Sequence, residues 1–324
     1  MNIHYFWLMN IKPTAQDIEE AHERVSPYIH YTPVYSSESI NKIARAEIFF
    51  KCENFQKVGA FKARGGMNAV LSLSDEERQK GVATHSSGNH AQAVALAAQL
   101  QGIPAHIVMP SNSAKVKMEA VRGYGANLIE CEPTLQAREE TLQKVISETG
   151  ASMIHPYNDY RIIQGQATAA KELIESVNEP LDYILTPVGG GGLLSGTSLS
   201  AHYWSNRTQV IGCEPEGADD AFRSFQTKTL VPMVNPDTIA DGLRTSLGEK
   251  PFDIIKEHVS DILLANDNEI AAAMKMVWER MKIIIEPSAA VPLAVLLRNK
   301  ELFEGKKVGI IISGGNVDVG SLPF

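Results

Sequence analysis

The sequence predicts an α/β fold of two lobes, each built on a parallel-type twisted sheet flanked by helices. Short apolar segments alternate with helical patterns along nearly the whole chain, which is typical of parallel sheets covered by helices. The 324-residue length allows two lobes. A composition of 44% hydrophobic and 21% charged residues is ordinary for a globular enzyme.

The first predicted elements are a helix and a strand. Thr14 and Asp17 have the spacing of a capping box, so the segment TAQDIEEAHERV that starts at Thr14 is predicted to be helical. Residues 47–53 (EIFFKCE) are apolar and aromatic enough to form a strand.

The other predicted strands fall into two groups along the chain. The first group is VATH (82–85), AHIVMP (105–110), NLIEC (127–131) and SMIHP (152–156); the second is DYILTPV (182–188), QVIGCEP (209–215), DILLA (261–265) and KVGIIIS (307–313). No Pro-, Gly- or Ser-rich linker separates the groups. We therefore predict that residues 76–156 form a small domain inserted into a large domain made of residues 1–75 and 157–324.

Charge and cysteine content exclude several functional classes. The net charge is −8 and no lysine or arginine run is present, so neither nucleic acid nor an anionic membrane surface is an expected partner. The cysteines are Cys52, Cys131 and Cys213, without a C-x-x-C motif, which fits a reducing cytosol. No apolar run approaches a membrane span, and HYFWLM (4–9) is too short for a signal peptide. The protein is predicted to be cytoplasmic, with either Met1 or Met9 as its initiator.

A glycine run suggests an anion site. GGGGLLSG (189–196) follows an apolar strand and opens a helix, where backbone N–H groups and the helix dipole favour a phosphate. The P-loop pattern fails because Thr197, not lysine, follows Gly196. The dinucleotide pattern fails narrowly at Ser195, but Glu214 stands about one strand later, where a ribose-binding acid is expected. A nicotinamide-dinucleotide enzyme therefore remains an alternative.

Lys62 is a candidate for covalent attachment of a cofactor. It lies in ENFQKVGAFKARGG (53–66), beside Phe61 and at the start of a predicted helix. A lysine amine can form an imine with an aldehyde, and a glycine-built site can hold a phosphate. Pyridoxal phosphate carries both groups, so the sequence predicts a site for it.

Three further stretches carry candidate ligands. Ser86, Ser87 and Asn89 in HSSGNH (85–90) offer donors for a carboxylate at a helix start, although a plain N-cap would need only one of them. Ser313 in SGGN (313–316) follows the last strand and can approach a flat ring, although a plain turn would look identical. EPEGADD (214–220) supplies oxygen ligands for a hard cation; a solvated acidic loop is the alternative.

Together these stretches resemble the pyridoxal-phosphate enzymes of the tryptophan-synthase-β type, known as fold type II. Within that type they are most similar to the serine racemase and serine/threonine dehydratase group, and closest to its racemases. The resemblance extends from about residue 14 to 318. Its motifs are KCENFQKVGAFKARG, SSGNHAQA, GGGGLLSG, EPEGADD, IADGLRTSLG, IEPSAA and ISGGNVD.

The resemblance implies a cofactor in the cleft between the two lobes, with residues 1–75 and 157–324 as the cofactor-binding domain and residues 76–156 closing over the substrate. It also assigns site residues. Lys62 and Ser87 would exchange protons on opposite faces of the substrate Cα. The implied cofactor-binding residues are Phe61, Lys62, Asn89, Gly189, Gly190, Gly191, Gly192 and Ser313. The implied substrate-binding residues are Ser86, Ser87, Asn89 and His90, with Arg138 placed for a second carboxylate. Glu214, Asp220 and the carbonyl of Ala218 would bind Mg²⁺, Ca²⁺ or Mn²⁺.

The implied activity is interconversion of L- and D-serine, with β-elimination of serine or threonine to a keto acid and ammonia. A dedicated dehydratase acting on L-threonine, L-serine or threo-3-hydroxyaspartate is the alternative. A non-catalytic amino-acid sensor is a third class, against which Lys62 argues. The resemblance also implies a homodimer and makes ATP a candidate effector. The matching ATP-site positions are Lys57, Gln92, Tyr124, Lys282 and Asn316, but Val58 replaces the usual threonine.

Overall fold

The computed structural model describes residues 12–86, 88–113 and 115–324 and contains two β-sheets. No helix within these ranges has the length and apolar character needed to span a membrane. The strands are β1 (Val34–Tyr35), β2 (Glu47–Cys52), β3 (Val82–His85), β4 (Ala105–Pro110), β5 (Asn127–Cys131), β6 (Ser152–Met153), β7 (Tyr183–Pro187), β8 (Gln209–Pro215), β9 (Asp261–Ala265) and β10 (Lys307–Ile312).

The larger sheet has six strands in the order β1-β2-β10-β7-β8-β9. All neighbours in it are parallel except β1 and β2, whose antiparallel register pairs Val34 with Lys51. Strand β1 was not anticipated, because two residues are too short for a periodic pattern to appear.

The smaller sheet has four strands in the order β5-β4-β3-β6, all parallel. Its strands all come from residues 82–153, between β2 and β7 in the chain. The boundaries of the inserted small domain, 76–156, stay a prediction. The strand predicted over 152–156 is shorter than expected, since it ends at Met153 and the chain then turns.

Helices cover both sheets, and the first begins as predicted. The Thr14 hydroxyl accepts a hydrogen bond from Asp17 N at 3.2 Å, and the Asp17 carboxylate accepts one from Thr14 N at 2.7 Å. The helices are α1 (Ala15–Val25), α2 (Glu38–Ala44), α3 (Lys62–Leu71), α4 (Asp75–Lys80), α5 (Asn89–Gln101), α6 (Lys115–Gly123), α7 (Leu135–Thr149), α8 (Tyr160–Ser176), α9 (Gly192–Trp204), α10 (Asp220–Thr227), α11 (Glu249–His258), α12 (Asp267–Met281), α13 (Pro287–Arg298) and α14 (Lys300–Phe303).

Helix α3, which begins at Lys62, is held by two features of the core. It crosses α8 so closely that a Cβ atom at Gly165 would lie 2.6 Å from the Cα of Gly65. The buried Arg64 guanidinium donates to Glu53 and Glu172, with shortest contacts of 2.7 Å to each carboxylate. Paired forks of this kind restrict the guanidinium tightly. The first turn of α3, and therefore the Lys62 backbone, is fixed relative to β2 and α8.

Candidate active site

A cavity of about 620 Å³ lies where several parallel strands end. Residues that follow β3, β7 and β10 all line it, as expected for a ligand site at the carboxyl ends of parallel strands. Predicted site residues in its wall are Phe61, Lys62, Ser86, Asn89, His90, Arg138, Gly189, Gly190, Gly191, Gly192 and Ser313. The structure therefore brings together residues from distant parts of the sequence. Ser87 lies outside the described residues.

Lys62 presents its amine to this cavity from the first position of α3. Its Nζ donates a hydrogen bond to the carbonyl of Pro156 at 2.8 Å and lies 5.2 Å from the centre of the Phe61 ring. Burial lowers the pKa of Lys62 to about 8, although the nearby Glu286 carboxylate opposes that shift. An amine with a depressed pKa is more often uncharged near neutral pH, which is the form that attacks an aldehyde.

The glycine run joins β7 to the first residue of α9, and side chains would be crowded there. A Cβ atom at Gly190 would lie 2.2 Å from the Tyr157 ring, and one at Gly189 would lie 3.0 Å from the Cα of Leu243. Gly191 has φ +87°, a conformation that favours glycine. Because α9 begins at Gly192, the free backbone N–H groups of its first turn are available at this loop. The loop fits a phosphate group.

The start of α5 forms another part of the wall. The Ser86 hydroxyl accepts a hydrogen bond from Gly88 N at 3.3 Å. His90 is almost completely buried, and its Nε2 donates to the Ile154 carbonyl at 3.0 Å. Burial lowers the pKa of His90 well below its usual value, so the ring is neutral. Its Nδ1 is buried and has no hydrogen-bond partner among the described residues.

Glu286 is a cavity residue to which the sequence analysis assigned no role. The Asn89 side-chain amide donates to its two oxygens at 3.1 and 3.3 Å, and Asn316 N donates to Oε2 at 3.2 Å. Asn316 Nδ2 also donates to Asn89 Oδ1 at 2.9 Å, so both ends of the Asn89 amide are held. Burial raises the pKa of Glu286 to about 7. IEPSAA contains this residue, but its packing partner is not visible in the sequence.

Two cationic side chains, Arg138 and Lys117, line the cavity. Arg138 is half-buried, and within the described part of the chain its Nε is buried without a hydrogen-bond partner. His85 Nδ1 is likewise buried without a hydrogen-bond partner among the described residues. Burial and the Arg138 charge lower the pKa of His85. Lys117 pairs with Asp241 at 3.3 Å, and both residues line the cavity. Arg138 therefore keeps hydrogen-bonding capacity for an anionic group.

The turn over residues 155–158 contacts several parts of the site. His155 Nδ1 accepts from Tyr157 N at 3.3 Å and from Asn158 N at 2.9 Å. The pKa of His155 is lowered to about 4, mainly by burial. Asn158 Oδ1 in turn accepts from Lys250 N at 2.9 Å, near the start of α11. The incorrect extension of the predicted strand to residue 156 concealed this turn in the sequence.

Glu214 and Asp220 form a separate buried pair. The Glu214 carboxylate accepts from Ala221 N at 3.0 Å and Phe222 N at 2.8 Å, and Asp220 Oδ2 accepts from Leu247 N at 2.8 Å. Asp220 Oδ1 is buried and, among the described residues, has no partner. Burial raises the pKa of both carboxyls, and the pKa of Asp220 reaches about 6. Repulsion by Asp220 raises the pKa of Glu214 further.

The position of this pair excludes a solvated acidic loop over 214–220 and a ribose-binding role for Glu214. Because both carboxylates are fully buried, they do not belong to a solvated acidic loop. Glu214 is also absent from the cavity wall, so it is not placed to bind a ribose there. The described residues contain no group of three or more His, Cys, Asp and Glu side chains suited to a metal. A cation here would need the two carboxylates together with a carbonyl such as that of Ala218.

Comparison with known proteins identifies the family. The family model described as "Pyridoxal-phosphate dependent enzyme" matches residues 25–314. The chain is 50% identical to a β-hydroxyaspartate dehydratase of Paracoccus denitrificans, covering 96% of this chain and 99% of that protein. It is 49% identical to a serine racemase of Dictyostelium discoideum, covering 95% and 96%.

The solved structures agree. The crystal structure of the Dictyostelium discoideum serine racemase superposes with a TM-score of 0.91 at 49% identity, covering 94% of this chain and 99% of that one. These matches confirm the predicted fold class and the resemblance to the racemase and dehydratase group. The chain belongs to the family of pyridoxal-phosphate-dependent enzymes.

Proposed function

We propose that this enzyme racemises serine and also eliminates the β-hydroxyl group of serine to give a keto acid and ammonia. The observation that carries the proposal is Lys62, whose amine has a pKa lowered to about 8 and lines one cavity with the glycine loop and with Ser86 and Asn89. An amine for an aldehyde, N–H groups for a phosphate and donors for a carboxylate are the requirements of an amino acid on this cofactor.

Each wall of the cavity has its own binding role in this proposal. The N–H groups of Gly189–Gly192 would hold the cofactor phosphate. Phe61 would line the ring, Ser313 would meet the ring nitrogen, and Asn89, held by Glu286 and Asn316, would contact the ring hydroxyl. Ser86, Ser87, Asn89 and His90 would bind the substrate carboxylate. The bound cofactor would supply stabilisation of negative charge at Cα after a proton leaves.

Two proton carriers are needed for racemisation, one on each face of Cα. Lys62 is proposed to hold the proton on one face and Ser87 on the other. A serine hydroxyl is a weak base, so it requires nearby positive charge or the cofactor phosphate to assist it. Loss of the β-hydroxyl after the same deprotonation would give elimination, so one site would serve both reactions.

A product assay tests this function. Purified protein would be incubated with pyridoxal phosphate, Mg²⁺ and L-serine, and D-serine would be separated by chiral chromatography while pyruvate is measured in parallel. We expect both products. Pyruvate without D-serine would make the enzyme a dehydratase, and the absence of both would reject serine as its substrate.

Arg138 supports a second candidate, a 3-hydroxyaspartate dehydratase. The guanidinium of Arg138, which lines the cavity, suits the second carboxylate of that substrate better than the neutral side chain of serine. The match to the Paracoccus dehydratase is in accord with this candidate.

Arg138→Gln should therefore change substrate preference. We expect kcat/KM for L-threo-3-hydroxyaspartate to fall about 100-fold, because a buried charge-assisted contact is lost, while kcat/KM for L-serine changes less than about threefold. Arg122→Gln is the matched control, since Arg122 pairs with Glu130 at an exposed position. Equal losses for both substrates would remove Arg138 from this role.

We also propose that Glu214, Asp220 and the Ala218 carbonyl bind Mg²⁺ or a similar hard cation. Two buried carboxylates with raised pKa values and an unpaired Asp220 Oδ1 support the proposal. Without a cation, the pKa of Asp220 is raised in the folded state from its ordinary value of 3.8 to about 6. The contribution of Asp220 to stability therefore falls as the pH rises from 3.8 through about 6. A cation would offset that loss.

Removal of the cation should thus lower thermal stability in a pH-dependent way. Dialysis against EDTA should lower Tm, Mg²⁺ should restore it, and the Mg²⁺ gain should be larger at about pH 8 than at about pH 5. Asp220→Asn should reduce the gain, whereas Glu216→Gln, at an exposed position of the same loop, should preserve it. A Tm insensitive to both EDTA and Mg²⁺ would exclude the site.

The homodimer, ATP regulation and a cytoplasmic location complete the proposal. Exposed aromatic and aliphatic side chains near β1 support a self-association surface: Tyr31 is 63%, Tyr35 45%, Phe55 42% and Ile284 51% exposed. For ATP, Asn316 Nδ2 donates to the Val58 carbonyl at 2.7 Å, which joins that region to Asn89. The three free cysteines support a reducing compartment.

A further inference from the structure

Tyr157 and Thr245 form a pair of hydroxyl groups in the cavity wall. Their oxygens are 3.0 Å apart, and both side chains are half-buried. The Tyr157 ring packs against Gly190 of the glycine loop and against Gly248, where Cβ atoms would lie 2.2 and 3.0 Å from it. The ring is therefore confined, and its hydroxyl group is held beside Thr245.

Hydrogen-bond arithmetic leaves this pair with a free donor. Each hydroxyl has one proton and two lone pairs, and the bond between them uses one proton. Among the described residues, neither side-chain oxygen makes another hydrogen bond. One O–H therefore remains for a ligand; when the Tyr157 hydroxyl donates to Thr245 Oγ1, the free proton is that of Thr245. The Thr245 methyl is also confined, since its Cγ2 lies 3.4 Å from a Cβ position built on Gly189.

The chemistry of the other walls indicates what this donor binds. The glycine loop suits a phosphate, the start of α5 suits the substrate carboxylate, and the Arg138 guanidinium suits a second carboxylate. Tyr157 is neutral because burial raises its pKa, so the pair carries no charge. A neutral donor pair is matched to a neutral hydroxyl, and a site built to bond a hydroxyl discriminates strongly against analogues that lack one.

We propose that Tyr157 is a specificity-determining positioning residue that orients Thr245, and that Thr245 donates a hydrogen bond to the side-chain hydroxyl of the amino-acid substrate. This inference rests on the proposed function. It goes beyond that function by assigning recognition of the leaving group to a pair outside the cofactor and carboxylate contacts.

The test compares substrates with and without the hydroxyl. Tyr157→Phe removes one oxygen from a confined ring, so the fold should be retained. We expect kcat/KM for elimination from L-serine to fall about 10-fold, as for one lost hydrogen bond, and that for β-chloro-L-alanine to change less than about twofold. Tyr160→Phe is the matched control, since Tyr160 lies under Lys250 and does not line the cavity.

A double-mutant cycle separates action through Thr245 from an independent effect. Thr245→Val should reproduce the L-serine defect, Thr245→Ser should keep most of the activity, and Tyr157→Phe combined with Thr245→Val should be no worse than Thr245→Val alone. Additive losses would overturn the positioning role.

The affinity for the cofactor distinguishes recognition of the substrate hydroxyl from support of the glycine loop. If Tyr157→Phe weakens binding of pyridoxal phosphate and lowers turnover of both substrates equally, the tyrosine supports the glycine loop and recognition of the hydroxyl is rejected. If the wild-type enzyme turns over β-chloro-L-alanine but no hydroxyamino acid, the proposed function fails, and the inference fails with it.

Discussion

Lys62→Ala should abolish covalent attachment of the cofactor and lower both racemisation and elimination by at least about 10³-fold. The reason is geometric. Lys62 is the amine presented to the cavity beside the Pro156 carbonyl, and its backbone is fixed by the Arg64 ion pairs in the first turn of α3. Alanine removes the amine without disturbing those pairs, so the variant should fold.

The measurement is borohydride reduction followed by mass spectrometry of the whole protein. Wild-type protein should gain the mass of one reduced cofactor, and the Lys62→Ala variant should gain none. Lys80→Ala, which removes an exposed lysine paired with Glu76, is the control and should behave as wild type. Persistent covalent labelling of the Lys62 variant would show that another amine carries the cofactor.

Ser87→Ala is expected to have the second-largest effect, and to divide the two reactions. Racemisation should fall by about 10²–10⁴-fold, the usual cost of losing an acid/base group, because one face of Cα loses its proton carrier. Elimination from the enantiomer that is deprotonated by Lys62 should be affected much less. Both rates would be followed in one assay by chiral chromatography of serine and by pyruvate release.

Ser86→Ala provides the comparison for Ser87. Ser86 lines the cavity beside the start of α5 and is proposed only to bind the carboxylate, so its loss should lower both reactions by a similar factor. If Ser87→Ala also lowers both reactions equally, Ser87 is a binding residue and the second proton carrier lies elsewhere.

The parts of the fold that the sequence predicted well are those with local causes. Strand β8 (Gln209–Pro215) coincides with its prediction because a buried parallel strand is a short, nearly continuous apolar run. The start of α1 follows from the Thr14 and Asp17 capping box alone. Strand β1 and the early end of β6 depend on pairing with distant segments, which no local pattern records.

The same distinction applies to the active site. The glycine loop was predictable because four consecutive glycines between a strand and a helix constrain the backbone directly. Glu286 was not, because its contact with Asn89 joins residues 197 positions apart. Tyr157 was missed for a related reason: its significance comes from packing on Gly190 and bonding to Thr245, and the predicted strand ended one residue before it.

The most direct test of the central claim is to run the L-serine reaction in deuterium oxide with pyridoxal phosphate and Mg²⁺. Chiral chromatography coupled to mass spectrometry would then report the isotope content of each enantiomer. Proton transfer on two faces of Cα predicts D-serine that carries one deuterium at Cα, formed alongside pyruvate. Pyruvate with no D-serine would contradict racemisation and leave the enzyme as a dehydratase.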